Sequence, residues 1–450
     1  MKQPIRSRSA KVLTAALAAT LVALATPLSA TAATYPSDGT RPDSLDILGG
    51  YDAIWHSDGR GTMDGEVANA AAAAHNDELT VWINNHATEA QQLKALQDAN
   101  YDAALLVGTG LGSTLQPIYI NGLRSGQLPK TRELMNSMAG YADTDAAKVA
   151  FNYPRPFLAT DPATTGVACD ANTYNASSLA GIRTGTAYTE ANGSLSIEQV
   201  PEMTDSSGVF TDPRTVGVGY GGYCASASFP SGHTTNSYLA GLTLATLVPE
   251  LAPGILSRVS EMGTNRIVLG MHYPLDVMGG RIAGQALVAE RWTDAAYRRD
   301  VIDPARDELV AYLETNCGDD LAACAATGTP FQNDPFAGAA VPGGTAQVVT
   351  DRASAITAFQ ERLTYGFAQT GPTDLAPSVP ATASALLRST YPTLTDAQRT
   401  EVLAQTQIES GYPLDRTGTP TGSWQRIDLA AAMTATVEVD DAGDVEVIAT

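Results

Sequence analysis

The stretch Phe229–Thr235, F-P-S-G-H-T-T, sets the strongest constraint on how this chain can fold. Pro230 ends an extended approach, Ser231 is a good N-cap, and apolar residues follow at helical steps through Tyr238, Leu239, Leu242 and Leu244 to Val248. The pattern predicts a helix that begins at Ser231-Gly232-His233. The first turn of such a helix presents unbonded N–H groups and the positive end of the helix dipole, and Gly232 lets an anion come close to the backbone. His233 adds a group that titrates near neutrality, so one turn can hold an anion and exchange a proton with it.

Two further segments carry matching chemistry. Lys148–Pro156 reads K-V-A-F-N-Y-P-R-P, and Arg266–Asp276 reads R-I-V-L-G-M-H-Y-P-L-D. A phosphoryl group in transfer spreads negative charge over three oxygens and needs fixed cations and N–H donors around it. Lys148, Arg155 and Arg266 can supply the charge, and Ser231 with the N–H groups of Gly232 and His233 a cradle. His272 sits in a turn made by Gly270, Met271 and Tyr273-Pro274, and Pro274 suits a first helical position. Asp276 then lies just inside the next helix, where its carboxylate can hold one ring nitrogen of His272 and leave the other free to attack. Taken singly, each residue also reads as a solvated charge, a helix cap or a core histidine. Their joint occurrence in this order is what points to a site.

The ordered pattern K-x6-R-P, P-S-G-H and R-x5-H-x3-D resembles that of the type 2 phosphatidic acid phosphatase superfamily, which includes bacterial class A acid phosphatases and vanadium-dependent haloperoxidases. The resemblance implies an all-α helical bundle and a phosphohistidine formed on His272. His233 is then the acid that protonates the departing alkoxide and the base that deprotonates the incoming water. It assigns catalysis to His272, His233 and Asp276 and phosphate binding to Lys148, Arg155, Ser231, Gly232 and Arg266, in a scheme with no metal or other cofactor. Because His233 must start protonated, an acidic optimum is expected. Two departures stand out. Asn265 occupies the position before the arginine where the family has Ser, and can still donate a hydrogen bond to phosphate. The gap from Pro156 to Pro230 is longer than usual, which bears on substrate range.

The remaining sequence frames this site. With 450 residues and 44% hydrophobic content the chain can bury a sizeable core. Its first 33 residues combine four basic residues with an apolar run from Val12 to Leu28 and small residues up to Ala33, the pattern of a signal peptide and hence of a secreted protein. Removal of that segment takes the formal charge from −21 to −25. Such a surface repels nucleic acid and anionic lipid, and no later stretch reaches about 18 unbroken apolar residues, so no stable membrane insertion is expected. The partner expected is a small phosphate ester, and no oligomeric state follows from the sequence. Four cysteines are compatible with two disulfides. Cys317 and Cys324 can close a local loop, which leaves Cys169 with Cys224; one bridge and two buried thiols is the alternative.

Residues 34–62 show no periodicity and are expected to wrap the surface. Helices are expected over 64–74, 88–99, 131–151 with a break at Gly140, 231–248, 255–269, 276–292 and 304–313. The helical domain thus runs over 34–325, with a loop-rich insertion at 160–222 that carries sequons at Asn175 and Asn192. A linker over 326–347 and a small mixed extension over 348–450, ending in a hairpin around Asp440–Asp444, follow. His56, His75 and His86 show no paired spacing and read as structural or surface histidines.

The function this predicts is a secreted acid phosphatase. Its rivals are a haloperoxidase holding vanadate on His272, a lipid phosphate phosphatase at a membrane surface, and a binding protein with a vestigial pocket.

Overall fold

The computed structural model describes residues 34–160, 169, 174, 176–191, 193–207 and 213–450. The expected signal peptide and the asparagines of both sequons lie outside the described residues. Tyr35–Thr450 form one compact unit. In chain order its longer helices are α1 (Ala70–His86), α2 (Glu89–Asn100), α3 (Gly112–Ser125), α4 (Pro129–Ala139), α5 (Asp145–Phe151), α6 (Gly232–Leu247), α7 (Ala252–Val268), α8 (Pro274–Thr293), α9 (Asp303–Cys317), α10 (Arg352–Thr364) and α11 (Asp396–Thr406). Three two-stranded antiparallel ribbons, β1/β2 (Trp55–Ser57 with Gly65–Val67), β3/β4 (Met203–Asp205 with Arg214–Val216) and β5/β6 (Thr436–Val439 with Val445–Ala449), sit among them. The fold is therefore mostly helical, as the resemblance implies.

The helix start predicted at Ser231 is present. Ser231 is extended, and its Oγ accepts from the Thr234 N–H at 3.3 Å, an N-cap worth about 1 kcal/mol. From Thr234 to Leu247 nearly every residue of α6 is buried, so this helix is covered on almost all sides, packed between α7 and α8. Gly280 lets α8 approach the start of α6: a Cβ there would lie 2.7 Å from the Ser231 carbonyl oxygen. That close crossing brings the third segment to the second.

Several expectations need correction. Residues 64–74 are not a helix of their own. Gly65–Val67 pair with Trp55–Ser57, and the helix begins at Ala70, capped by Asn69, whose Oδ1 accepts from the Ala72 N–H. The alanine run is the first turn of a 17-residue helix. Residues 34–62 do not merely wrap the surface, since Leu48, Tyr51, Ile54 and Trp55 are core residues.

The stretch 326–347 is packed as well. Phe331, Phe336 and Val341 are buried, and Asn333 and Val349 exchange both backbone hydrogen bonds. Beyond it, Phe359 and Leu363 of α10 enter the main core cluster and Arg362 donates to Ser260 Oγ of α7 at 3.0 Å. The C-terminal residues thus belong to the same compact unit. Proline and glycine mark irregular backbone there, and it is the apolar side chains between them that anchor it.

Other readings hold. α4 and α5 are broken around Gly140, and Asp440 closes the terminal hairpin by accepting from the Ala442 and Asp444 N–H groups. Cys169–Cys224 and Cys317–Cys324 are both disulfides. The helical run Ala103–Ser125 is long and apolar enough to cross a membrane by length and composition, and half of it is buried inside the fold.

Candidate active site

The three segments meet through their backbones. The Ser228 N–H donates to the Tyr153 carbonyl at 2.8 Å, and the Ser231 N–H to the Asp276 carbonyl at 3.0 Å. Behind them an aromatic cluster joins the same segments: Phe229 stacks on Tyr51 at 3.8 Å and meets Phe151 edge-on, while Tyr153 meets Tyr273 and Trp55 edge-on. Phe151, Tyr153 and Phe157 are buried, and the first two form the wall that holds the polar residues forward.

On this wall His272 is 2% exposed. Gly270, at φ +63°, turns the chain out of α7, and the His272 N–H bonds to the Arg266 carbonyl. Its Nδ1 lies 3.1 Å from Asp276 Oδ2, an oxygen that also accepts from the Tyr273 N–H at 2.9 Å. Nε2 faces Arg155, with Nη1 at 3.2 Å. Burial and then the positive charges of Arg155, Lys148 and Arg266 hold the His272 pKa well below its ordinary value, so the ring is neutral. A neutral ring whose Nδ1–H is held by a carboxylate presents a lone pair on Nε2.

Three basic side chains act on that ring. Arg155 is held by the Ser226 carbonyl at 2.7 Å and the Met271 carbonyl at 2.9 Å, with its guanidinium over the Tyr223 ring. Lys148 is half-buried and donates to the Ala227 and Ser228 carbonyls at 2.7 and 3.2 Å. Arg266 differs from both: it is 2% exposed, and its Nε and Nη1 have no hydrogen-bond partner among the described residues. Burial pushes both arginines down to about 10, and for Arg155 the charge of Arg266 adds to the shift. The same field reaches His233 at the start of α6. Arg266 first, then burial and Arg155, lower it to about 3, against the opposing pull of the Ala99 carbonyl. Asp276 carries the carboxylate held against His272, and burial raises its pKa; among the described residues Asp145 and Asp98 act on Lys148 and Arg266 as well. A buried set of cations this poor in counter-charge is built to receive an anion.

Two residues behave differently from expectation or were not anticipated. Asn265 points away from the site. Its Nδ2 donates to Asp98 and its Oδ1 accepts from Gln91, inside a buried network that includes Arg258, Glu261 and Lys94. One helical step separates it from Arg266, and that step turns it toward α2.

Arg183 was not foreseen. It comes from the insertion, is fully buried, pairs with Asp77 of α1 at 2.9 Å and donates to the Tyr273 hydroxyl at 2.9 Å. The insertion is thereby pinned to the residue next to His272. No spacing in the sequence links residues 77, 183 and 273. Asp77→Ala leaves a buried guanidinium uncompensated and is expected to remove about 3–5 kcal/mol of stability, read as a lower urea midpoint.

Residues 133–300 match the PAP2 superfamily model. Over this stretch the chain is similar to the PAP2 superfamily. It is similar to an acid phosphatase of Zymomonas mobilis, 43% identical over 95 residues, which are 21% of this chain and 36% of that protein. A non-specific acid phosphatase of Salmonella typhi is 37% identical over 82 residues, 18% of this chain and 32% of that protein. A decaprenylphosphoryl-5-phosphoribose phosphatase of Mycolicibacterium smegmatis is 45% identical over 53 residues, 12% and 28% of the two chains. The matches thus span about a third of the length of these curated relatives. All three relatives bear the name of a phosphatase, and the PAP2 stretch contains every residue of the cation and histidine cluster.

Proposed function

We propose that this protein is a secreted acid phosphatase that hydrolyses phosphomonoesters through a phosphohistidine, without a metal. The observation that carries the reading is the buried Arg266 guanidinium, whose Nε and Nη1 have no partner among the described residues, beside Arg155, Lys148 and the neutral His272. The names of the relatives support the same reaction class, and the apolar N-terminal run supports export.

In this reading the three cations and the first N–H groups of α6 hold the oxygens of the phosphoryl group. His272 Nε2 attacks phosphorus, a P–N bond forms, and the P–O bond to the alcohol breaks with its electron pair on oxygen. His233 gives that oxygen its proton. Water then attacks phosphorus, the pair of the P–N bond returns to Nε2, and His233 takes a proton from the water. Asp276 holds the Nδ1 proton throughout and steadies the charge that develops on the ring.

The pH dependence follows from the field in the site. Without a bound anion His233 is neutral at any pH well above about 3. An arriving phosphate neutralises Arg155 and Arg266 and lifts the pKa of His233, and the proton it needs enters with the monoanionic ester, whose second pKa is about 6. kcat/KM is therefore expected to be level below about pH 6 and to fall about tenfold per unit above it. A profile that rises through pH 8 would count against these roles. The decisive test is to stop turnover of a 32P-labelled ester with alkali, which preserves the P–N bond, and to find the label on His272. Label elsewhere rejects the nucleophile. Halide oxidation with vanadate and peroxide, in place of ester hydrolysis, rejects the reaction class.

A further inference from the structure

A cavity of about 340 Å³ opens beside His233, between the loop that follows α2 and the helices α4 and α6. Of the proposed catalytic and phosphate-binding residues, His233 is the one that lines it. His233 also feels the charges of Arg266, Arg155 and Lys148. A group that protonates a leaving oxygen must stand between the phosphoryl site and the space into which the alcohol extends, and His233 has that position.

The chemistry of the wall restricts what that alcohol can be. Asn136 of α4 and Asn236 of α6 both face the cavity, are exposed, and have no side-chain hydrogen bond within the described chain. Each carboxamide offers a donor and an acceptor, the match for hydroxyl groups. The lining contains no lysine or arginine and two carboxylates, Asp98 and Asp102. Asp98 is bound by Arg258 and Asn265, and Asp102 by Arg132 at 2.5 Å and the Ala104 N–H at 2.9 Å, so neither is a free acceptor. A second anionic group would enter a space that faces carboxylates and offers no cation of its own. The volume lies at the lower end of ligand clefts, which run to about 300–1,000 Å³.

We infer that this cavity receives the alcohol part of the substrate and selects a neutral, polyhydroxylated leaving group, a sugar or polyol bearing a single phosphate; the inference rests on the phosphomonoesterase reading above. The experiment compares fructose 6-phosphate, fructose 1,6-bisphosphate and hexyl phosphate on the full chain and on the double variant Asn136→Ala, Asn236→Ala. Wild type is expected to favour fructose 6-phosphate over both others in kcat/KM by about tenfold or more. In the double variant its advantage over hexyl phosphate is expected to shrink about tenfold, at roughly three- to tenfold per lost hydrogen bond. An unchanged ratio, or equal losses on both esters, overturns the assignment of the asparagines. A bisphosphate turned over as well as the monophosphate overturns the selection against charge. If wild type hydrolyses none of the three and traps no phosphate, the phosphatase reading itself fails and this inference falls with it.

Discussion

Replacing His272 by alanine is expected to abolish phosphate ester turnover and leave the fold in place. The neutral imidazole turns Nε2 toward Arg155, and in the proposed mechanism no P–N bond can form without it. Loss of a covalent nucleophile lowers kcat by about 10⁴ or more, with any residue of rate coming from the binding groups alone. The scaffold should tolerate the change. Asp276 still accepts from the Tyr273 N–H and lies 3.4 Å from Ser228 Oγ, and the Ser231 N–H still bonds to its carbonyl. Steady-state kinetics on an alkyl phosphate, label trapping and a thermal melt check the three parts together. Turnover within tenfold of wild type would place the chemistry elsewhere.

Arg266→Met is expected to separate activity from stability. Removing a cation that faces developing phosphoryl charge costs about 10²–10³ in rate. In the free protein the same guanidinium is buried with Nε and Nη1 unpartnered, and burial lowers its pKa to about 10. An unpaired buried polar group costs about 1–3 kcal/mol, so an apolar side chain of similar length should raise the melting temperature while it removes activity. Inorganic phosphate should stabilise wild type by mass action and do so far less for the variant. A lower melting temperature for Arg266→Met, with the phosphate response intact, would make Arg266 a structural residue.

The legibility of this protein differed sharply between its parts. Helix starts at Thr88 and Ser231 were readable because a cap is a local event, decided by a side chain and an N–H three residues on. The terminal hairpin was readable for a similar reason, through alternation and a turn residue. Residues 64–74 were misread because an alanine run does not say where its helix begins, and the backbone pairing of Gly65 with Ser57 is a contact between strands. Residues 326–347 were misread because glycine and proline report backbone irregularity, whereas the burial of Phe331 and Phe336 depends on what lies above them. Asn265 was assigned to the phosphate because it adjoins Arg266; its direction is set by the packing of α7 against α2.

By itself the sequence determined the identities and order of the groups that meet here: three cations, two histidines, one aspartate and a helix start. It could do so because each carries its chemistry in a short local motif. Only the tertiary structure decided that Nε and Nη1 of Arg266 have no partner among the described residues, that Nε2 of His272 is the nitrogen turned toward Arg155, that Arg183 braces Tyr273 and that His233 borders a cavity of uncharged amides and paired carboxylates. Those properties are sums over neighbours distant along the chain. Burial, electrostatic field and unmet hydrogen bonds exist only once the helices have packed.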